Sequence, residues 1–379
     1  MRIEDDHDAR QAPAAGLGDR PGDEVLVAAV QPVEHPDRHH RAGQPGGNLC
    51  QSVPNIHAAI LRHRLGRMLD PLGTSGLVVV DKPKWLTSHD VVARLRKAFH
   101  TRSVGHAGTL DPMATGVLVV GVERGTKFLA HLVAATKSYT ATIRLGVSTE
   151  TDDTEGEPIA AADPADVAAL DLAAVDAAAE EFRGTFDQVP AKYSALKIGG
   201  RSAHELLRRG REVDLPARRV TISRLELSDA RPGDGVVDVD AEVSCSTGTY
   251  IRALARDLGN RLGVGGHLTA LRRTSVGAFG LDDAIPLAEL EEAERPRLSL
   301  SIDEALTRCY PTLEITEEEG DMLATGKWLE PRGVKGTRAA VTPSGRAVAL
   351  VKESGKRLAS TFVARPVTLM KPSGKNGRK

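Results

Sequence analysis

The sequence has 379 residues, with 41% hydrophobic and 27% charged side chains, a formal net charge of −1 and three cysteines. This length and composition are ordinary for a soluble globular protein of about two or three domains. A membrane-spanning chain is excluded because no apolar run is long enough, and the widely separated cysteines exclude a disulfide framework and a zinc knuckle and indicate a reducing cytoplasm.

Residues 1–71 lack the features of a folded domain. They contain no Phe, Trp or Tyr, hold half of the 12 histidines, and show neither the strand nor the helix period. We expect this segment to be disordered or dispensable, since it cannot bury enough apolar surface to offset its ordering entropy. No metal site is predicted, because the one cysteine of this segment, Cys50, is not at metal-ligand spacing from the histidines and no ordered acidic cluster accompanies them. Met68, just before the first predicted strand, is a candidate alternative start.

Regular structure is predicted to begin with a buried strand at 76–81. Ser88 is the predicted N-cap of a helix over 90–99, and a loop of small residues follows at 105–116. The remaining pattern predicts a strand at 117–122, a helix at 125–133, a strand at 137–146, a helix at 171–183, strands at 219–228 and 236–245, and a helix near 249–262. From about 311, short strands punctuated by Gly and Pro predict a small β-rich unit, which makes the chain an α+β protein.

The near-neutral net charge conceals strong segregation along the chain. Residues 150–181 hold eleven acids and no Lys or Arg, whereas residues 192–219 hold eight bases against three acids. Residues 327–379 hold thirteen bases against two acids. A single charged run is commonly only a solvated face, but two separate basic regions favour a nucleic acid as partner.

The stretch "GHAGTLDPMATG" at 105–116 contains one acid, Asp111, directly before Pro112. Taken alone, the Asp-Pro pair and the glycines predict a simple turn. A catalytic carboxylate needs the same setting, since it must be reachable by the substrate and not engaged as a helix cap. Small neighbours would also let a substrate backbone approach closely.

Six strings along the chain are informative when they are taken together. They are "VVVDKPKWLTSHDVV", "GHAGTLDPMATGVLVVGV", "TKSYTATIRLG", "VPAKYSALKIGGRSAHELLRRG", "SCSTGTYIRALARDLG" and "GGHLTALRRTSVGAF", in this order. Their sequence and order resemble the bacterial tRNA pseudouridine-55 synthases, the TruB family. The resemblance is dense over 76–280 and loose over the C-terminal unit, and residues 1–71 match nothing in the family pattern.

The resemblance implies a mixed-sheet pseudouridine synthase catalytic domain over 72–300 with an RNA-clamping insertion at 187–219. It also implies a PUA-like RNA-binding module over 311–370, followed by a basic tail at 371–379. The implied activity is a cofactor-free and metal-free isomerisation of uridine 55 in the T arm of tRNA. The enzyme would flip the base out of its stack, break the N-glycosidic bond and rejoin the base through carbon.

The family's essential aspartate corresponds to Asp111. Three routes stay open for it: attack on C1′ of the sugar, attack on C6 of the base, and a glycal route. Arg252, in "GTYIR", corresponds to the arginine that pairs with this aspartate, the alternative being an exposed helix charge. Tyr139, in "KSY", corresponds to the tyrosine that stacks on the target base, with proton transfer as a further role, the alternative being a strand-core aromatic.

The resemblance also implies four further substrate-binding positions. Tyr250 and Leu271 correspond to residues of the uridine pocket, the alternative being packing in a helix core. His106 corresponds to the histidine that contacts RNA near the flipped base. Lys82 corresponds to a lysine beside the catalytic loop, which either supports the site or serves solubility at a strand end.

Two other functions are weighed against the isomerase. An RNA-folding chaperone would keep the clamp without requiring catalysis, but the presence of Asp111, Tyr139 and Arg252 favours an enzyme. A guide-dependent isomerase would act on ribosomal RNA, but the insertion at 187–219 favours the stand-alone bacterial form. We therefore expect a cytoplasmic, monomeric enzyme that binds tRNA and no membrane.

Overall fold

The computed structural model describes residues 73–132, 135–194, 196–198, 201–211 and 213–367. The predicted N-terminal extension at 1–71 and the predicted basic tail at 371–379 lie outside these residues. Of the helices that are described, none is long and apolar enough to cross a membrane.

Strands dominate the described part of the chain. The strands are β1 (Gly76–Lys82), β2 (Val104–Ala107), β3 (Thr115–Val122), β4 (Lys137–Leu145), β5 (Val147–Thr149), β6 (Pro158–Ala161), β7 (Gly184–Gln188), β8 (Lys197–Ile198), β9 (Arg201–Ser202), β10 (Arg218–Pro232), β11 (Val237–Cys245), β12 (Gly266–Val276), β13 (Phe279–Gly280), β14 (Ile285–Pro286), β15 (Leu300–Ser301), β16 (Thr312–Glu314), β17 (Thr337–Val341), β18 (Ala347–Ser354) and β19 (Arg357–Val363). The helices are α1 (Ser88–Ala98), α2 (Gly125–Phe128), α3 (Pro164–Ala168), α4 (Leu172–Ala179), α5 (Ala203–Arg208), α6 (Ile251–Arg261), α7 (Leu287–Glu292), α8 (Ile302–Cys309) and α9 (Glu317–Ala324).

One large mixed sheet organises the chain before the C-terminal module, with its main strands in the order β14-β1-β3-β12-β4-β11-β10-β7. Strand β12 lies at its centre, parallel to β3 and antiparallel to β4. Strand β2 pairs with β3 off this path, so the loop that joins the two strands emerges beside the centre of the sheet. That loop contains Asp111.

The sheet is buried on both faces around β1 and β3. Val78 and Val80 point into one cluster with apolar residues of α1 and α6. Leu77 and Val79 point the opposite way, into a second cluster. Successive side chains of a strand alternate between faces, so a strand covered on both sides reads as the continuous apolar run found here.

The C-terminal module is a sheet in the order β16-β17-β18-β19 with α9 packed on it. Its own core contains Ile315, Leu323 and Val348. Three of its other side chains, Ala339, Leu350 and Phe362, belong to the same cluster as Leu77 and Val79 of β1. The module and the large sheet therefore share a continuous apolar core.

Polar contacts reinforce this joint. Arg124 donates through Nε to the Val363 carbonyl at 2.9 Å, and its guanidinium lies 5.2 Å from the centre of the Phe362 ring. The Tyr310 hydroxyl donates to the His131 carbonyl at 2.8 Å. The C-terminal module is thus attached to the rest of the fold by directional bonds as well as by apolar packing.

The predicted mixed-sheet α+β fold with a small β-rich C-terminal module is confirmed, and most strands lie where they were predicted. The predicted helix at 125–133 is wrong in length, since a four-residue helix is followed by a 3₁₀ turn at Leu129–His131. The predicted helix at 171–183 likewise ends early, at Ala179, and continues as a 3₁₀ turn. The predicted insertion at 187–219 begins in β7 and ends in β10, which leaves 189–217 between the two strands.

Candidate active site

Asp111 lies in a short loop that is fixed to the start of α1. The Ser88 hydroxyl donates to the Leu110 carbonyl at 3.1 Å, and the Leu110 N–H donates to Ser88 Oγ at 2.8 Å. The predicted N-cap role of Ser88 is wrong, because Thr87 caps α1 in a capping box with Asp90. Ser88 instead uses its hydroxyl to hold the residue before Asp111.

Arg252 holds the Asp111 carboxylate in a two-pronged contact. Arg252 Nε lies 3.0 Å from Oδ2 of Asp111, and Nη2 lies 3.2 Å from Oδ1. Nη1 and Nη2 also donate to the carbonyls of Thr151 and Tyr193, each at 2.8 Å. The guanidinium side chain is only 5% exposed. The alternative that Arg252 is an exposed helix charge is therefore wrong.

Asp153 supplies a second carboxylate to Arg252, and the sequence did not single it out. Its Oδ2 lies 3.4 Å from Arg252 Nη1, and its side chain is 1% exposed. Burial alone would lower the pKa of Arg252, but the carboxylates of Asp111 and Asp153 raise it overall. Along the chain Asp153 is one of eleven acids in the run 150–181, so composition alone does not distinguish it from the acids of this run that are exposed.

Lys82 supports the other side of the Asp111 loop. Its ammonium donates to the carbonyls of Pro83, Leu86 and Pro112, at 2.9, 2.7 and 3.2 Å. Burial lowers the pKa of Lys82 to about 8, while the nearby Asp111 and Glu155 carboxylates act in the opposite direction. A fully buried side chain cannot serve solubility, so that alternative for Lys82 is wrong.

Arg273 is a second buried cation that the sequence did not single out. It is 0% exposed and donates to the carbonyls of Val117, Thr109 and Gly108, at 2.7, 3.3 and 3.1 Å. The sequence signal for a buried arginine is the pair of consecutive arginines in a segment that otherwise reads as a strand. Neighbouring side chains on a strand point to opposite faces, so one of the two must point inward. Arg272 accordingly pairs with Asp81, whereas Arg273 holds the backbone of the Asp111 loop.

Tyr139 lies directly opposite Arg273 in the β4–β12 ladder. Tyr139 is 8% exposed and belongs to the apolar cluster that also contains residues of α1 and α6. Burial raises the pKa of the Tyr139 phenol, although the Arg273 charge acts in the opposite direction. A neutral phenol at this position can pack against a base, but it is a poor proton acceptor.

His106 lies on β2, opposite Val120, rather than in an irregular loop. Burial lowers the pKa of His106 to about 4, with the Arg273 charge as the next cause. Within the described residues, its Nδ1 is buried without a hydrogen-bond partner. His106 is therefore held as a neutral imidazole with one free polar atom near the Asp111 loop.

Tyr250 is the residue that immediately precedes α6, and the Gln188 side chain bonds both of its backbone groups. The Tyr250 N–H donates to Gln188 Oε1 at 2.9 Å, and Gln188 Nε2 donates to the Tyr250 carbonyl at 3.2 Å. Tyr250 is half-buried, so packing inside a helix core does not describe it. Leu271 is 7% exposed on β12 and lies in the apolar cluster that also contains Tyr139.

The site thus combines one half-exposed carboxylate with several buried cations. The Asp111 side chain is 34% exposed, and Gly108, two residues beyond His106, has a left-handed φ of +78°. A Cβ at Gly108 would also lie 3.3 Å from the Lys137 ammonium, which favours glycine there. This arrangement presents one oriented negative charge to a substrate. Within the described residues, no other carboxylate is bonded to Asp111.

Models of three domains match the chain in order. They are the N-terminal domain of the TruB family pseudouridylate synthases at 96–251, the tRNA pseudouridylate synthase B C-terminal domain at 252–309, and the C-terminal domain of tRNA pseudouridine synthase II at 310–365. A Corynebacterium efficiens protein described as tRNA pseudouridine synthase B is 64% identical over 296 residues, which are 78% of this chain and 98% of that protein. The chain belongs to the TruB family. It is a pseudouridine synthase, an isomerase, as its sequence predicted.

Other comparisons agree with this membership. The tRNA pseudouridine synthase B of Mycobacterium bovis is 54% identical over 76% of this chain and 95% of its own. Two solved complexes share the fold of this TruB chain. The archaeal box H/ACA sRNP Nop10-Cbf5 complex matches with a TM-score of 0.59 and 23% identity, over 80% of this chain and 90% of the solved one. A Cbf5-Nop10-Gar1 complex matches with a TM-score of 0.60 and 25% identity, over 80% of this chain and 88% of the solved one.

Proposed function

We propose that this enzyme converts uridine 55 in the T arm of tRNA to pseudouridine. The observation that carries the proposal is the half-exposed Asp111 carboxylate, held in a fixed orientation by the buried Arg252. Two relatives that match this chain over nearly their full length are described as tRNA pseudouridine synthase B. The substrate class, tRNA, is taken from the descriptions of these relatives. The modified position, uridine 55, is taken from the family resemblance.

The reaction is an isomerisation, so its atoms balance without any co-reactant. The bond between N1 of uracil and C1′ of ribose breaks, the base turns, and a bond between C5 and C1′ forms. The hydrogen on C5 is lost, and N1 gains one. Attack at C1′, attack at C6 and the glycal route all require an ionised Asp111, and the Arg252 guanidinium orients this carboxylate by ion pairing.

The target base must leave the stacked T arm before Asp111 can reach it. Unstacking costs roughly a few kcal/mol, which contacts to the flipped base and to phosphates must offset. We propose that Tyr139, Tyr250 and Leu271 surround the flipped uracil and that His106 contacts the RNA beside it. The neutral state of His106 suits a hydrogen bond to RNA rather than an ion pair with phosphate.

The segment between β7 and β10 is the proposed RNA clamp. Its Tyr193 carbonyl accepts a hydrogen bond from Arg252, and its Val189 carbonyl accepts one from Arg256 Nη2 at 2.7 Å. The clamp is therefore bonded to the same helix that orients Asp111. The exposed bases of the C-terminal module would add salt-sensitive contacts with phosphate. We expect the enzyme to act as a monomer in the cytoplasm.

The pairing of Asp111 with Arg252 favours an enzyme over an RNA chaperone, because a chaperone gains nothing from an oriented carboxylate. The fold shared with the Cbf5 complexes leaves the choice of RNA open, whereas the high identity to the tRNA enzymes favours tRNA. The test is to incubate the full chain with an unmodified tRNA transcript and to map pseudouridine at single-nucleotide resolution. Pseudouridine at position 55 with wild-type enzyme, and none with Asp111→Asn of equal melting temperature, is the expected result.

Two results would contradict the proposal. Modification at a different uridine would overturn the assignment of position 55. Turnover by Asp111→Asn at the wild-type rate would overturn the role of the carboxylate, since the amide keeps the size of the side chain but not its charge.

A further inference from the structure

Trp85 lies beside the Asp111 loop in a backbone conformation that disfavours it. It belongs to the turn between β1 and α1, its φ is +68°, and the residue is 64% exposed. The left-handed region is a genuine outlier for a bulky side chain, and an exposed indole gains little from burial. The left-handed backbone costs folding free energy and the exposed indole contributes little to stability, so the position of Trp85 is not explained by stability.

The turn is bonded firmly to the loop that contains Asp111. The Trp85 N–H donates to the Pro112 carbonyl at 2.7 Å. The Lys82 ammonium bonds to that same carbonyl and to the carbonyls of Pro83 and Leu86, on either side of the turn. The indole is therefore presented to solvent from a rigid base next to the reacting carboxylate.

The other strained residues of the described chain differ from Trp85 in kind. His100, Glu123, Asp152 and Asp229 are the other non-glycine residues with positive φ there. His and Asp are enriched several-fold in this region, and all four residues are polar. Strain held at a functional position by the surrounding structure is the recognised reason for such an outlier.

We propose that the Trp85 indole stacks on the RNA base next to the flipped uridine. When the uridine leaves the stack, its neighbour loses a partner on one face, and a rigid aromatic surface can replace it. Lys84 supports this function, because its ammonium lies 5.9 Å from the indole centre and can reach phosphate while it strengthens the stack. The proposal rests on the proposed function, since it requires an RNA with a flipped base at Asp111.

The first test compares steady-state kinetics of the full chain on unmodified tRNA. Trp85→Gly should raise KM about tenfold, and Trp85→Phe should raise it about threefold or less because a smaller stacking face remains. The melting temperature of Trp85→Gly should be equal to or above that of the wild type, since glycine tolerates the left-handed backbone. His100→Gly is the matched control: it also relieves a positive φ, lies exposed past the far end of α1, and should leave KM unchanged.

The second test reads binding without turnover. The chain has two tryptophans, so Trp328→Phe leaves Trp85 as its one indole fluorophore. Saturating tRNA, with binding followed separately by anisotropy of labelled tRNA, should quench this fluorescence. Substituting 2-aminopurine beside the target uridine should give mutual quenching.

An unchanged Trp85 emission at saturation, or an unchanged KM in Trp85→Gly, would overturn the proposal. Absence of tRNA binding to the wild-type chain would overturn it as well. Failure of the proposed function is read separately, in the wild-type modification map. If the wild type binds tRNA with quenched Trp85 emission but forms no pseudouridine, the isomerase assignment fails and the stacking contact stands.

Discussion

Asp111 and Arg252 are separated by 141 positions in the chain and meet in a two-pronged ion pair with unequal exposure. The guanidinium side chain is 5% exposed, whereas the carboxylate side chain is 34% exposed. The cation is enclosed by acceptors from two other segments, and the anion has one open side. This asymmetry directs the negative charge toward whatever molecule enters the site.

Arg252→Lys should reduce kcat by about 100-fold, because a lysine keeps the charge but cannot reproduce the planar fork that orients Asp111. KM for tRNA should change much less, since Arg252 faces the protein rather than the RNA. Single-turnover rates and tRNA binding separate the two effects. Arg261→Lys, at the exposed end of the same helix, is the matched control. Equal losses in both variants would mean that Arg252 acts only through helix stability.

Asp153→Asn should lower both stability and rate. The amide keeps the shape but removes one of the two carboxylates beside the buried Arg252, which costs about 1–3 kcal/mol of unfolding free energy. We expect kcat to fall about tenfold, because the guanidinium then loses one of its two ion-pair partners. Urea unfolding and single-turnover kinetics measure the two quantities. Asp166→Asn, on the exposed face of α3, should change neither. A variant indistinguishable from wild type would exclude a positioning role for Asp153.

His106 should make the protein less stable as the pH falls from about 6.5 to about 4. In this window the unfolded chain binds a proton at His106 that the folded state rejects. Above the window both states are neutral at this residue, and below it both are charged. His106→Gln removes the effect, so its stability relative to wild type should improve by up to about 3 kcal/mol as the pH falls through the window. Denaturant midpoints at several pH values test this, and a pH-independent difference would contradict it.

The C-terminal module should contribute salt-sensitive affinity for tRNA. Deleting 327–379 is a poor test, because it would remove Ala339, Leu350 and Phe362 from the shared core and destabilise the rest. Lys335→Ala with Lys356→Ala changes two exposed bases only. The slope of log Kd against log salt should fall by about 1 for each phosphate that the variant no longer neutralises. Lys97→Ala on α1 is the comparison. A double variant with an unchanged slope would mean that these lysines do not bind phosphate.

Much of this structure could be predicted because its signals are local. The apolar run at 76–81 predicts a strand buried on both faces, and the alternation at 137–146 predicts β4. Asp111 and Arg252 could be assigned through family strings, but their contact joins segments far apart in the chain. No local pattern contains that distance. The N-cap, in contrast, has a local signal, since Thr87 has Asp90 three residues on, as a capping box requires, whereas Ser88 has Val91.

The residues that were missed are buried charges. Strand β12 carries Arg272 and Arg273 at the centre of the sheet, and its ladder with β4 has two irregularities, between Leu268 and Ala270 and between Arg273 and Ser275. Both features interrupt the alternation by which strands are predicted. Asp153 was hidden for the opposite reason, since its neighbours are acids too. Asp153 and Arg273 can be recognised only from their bonding partners, which lie far from them in the sequence and are brought close by the fold.

The core that joins β1 and β3 to β17, β18 and β19 has a consequence for the choice of RNA. Two modules connected by a flexible linker could adjust their separation to RNAs of different shape. Here Leu77, Val79, Leu350 and Phe362 pack in one cluster, so the spacing between Asp111 and the C-terminal module is fixed when the chain folds. An RNA that bound both the Asp111 site and the C-terminal module would therefore need a matching distance between its target uridine and its second point of contact.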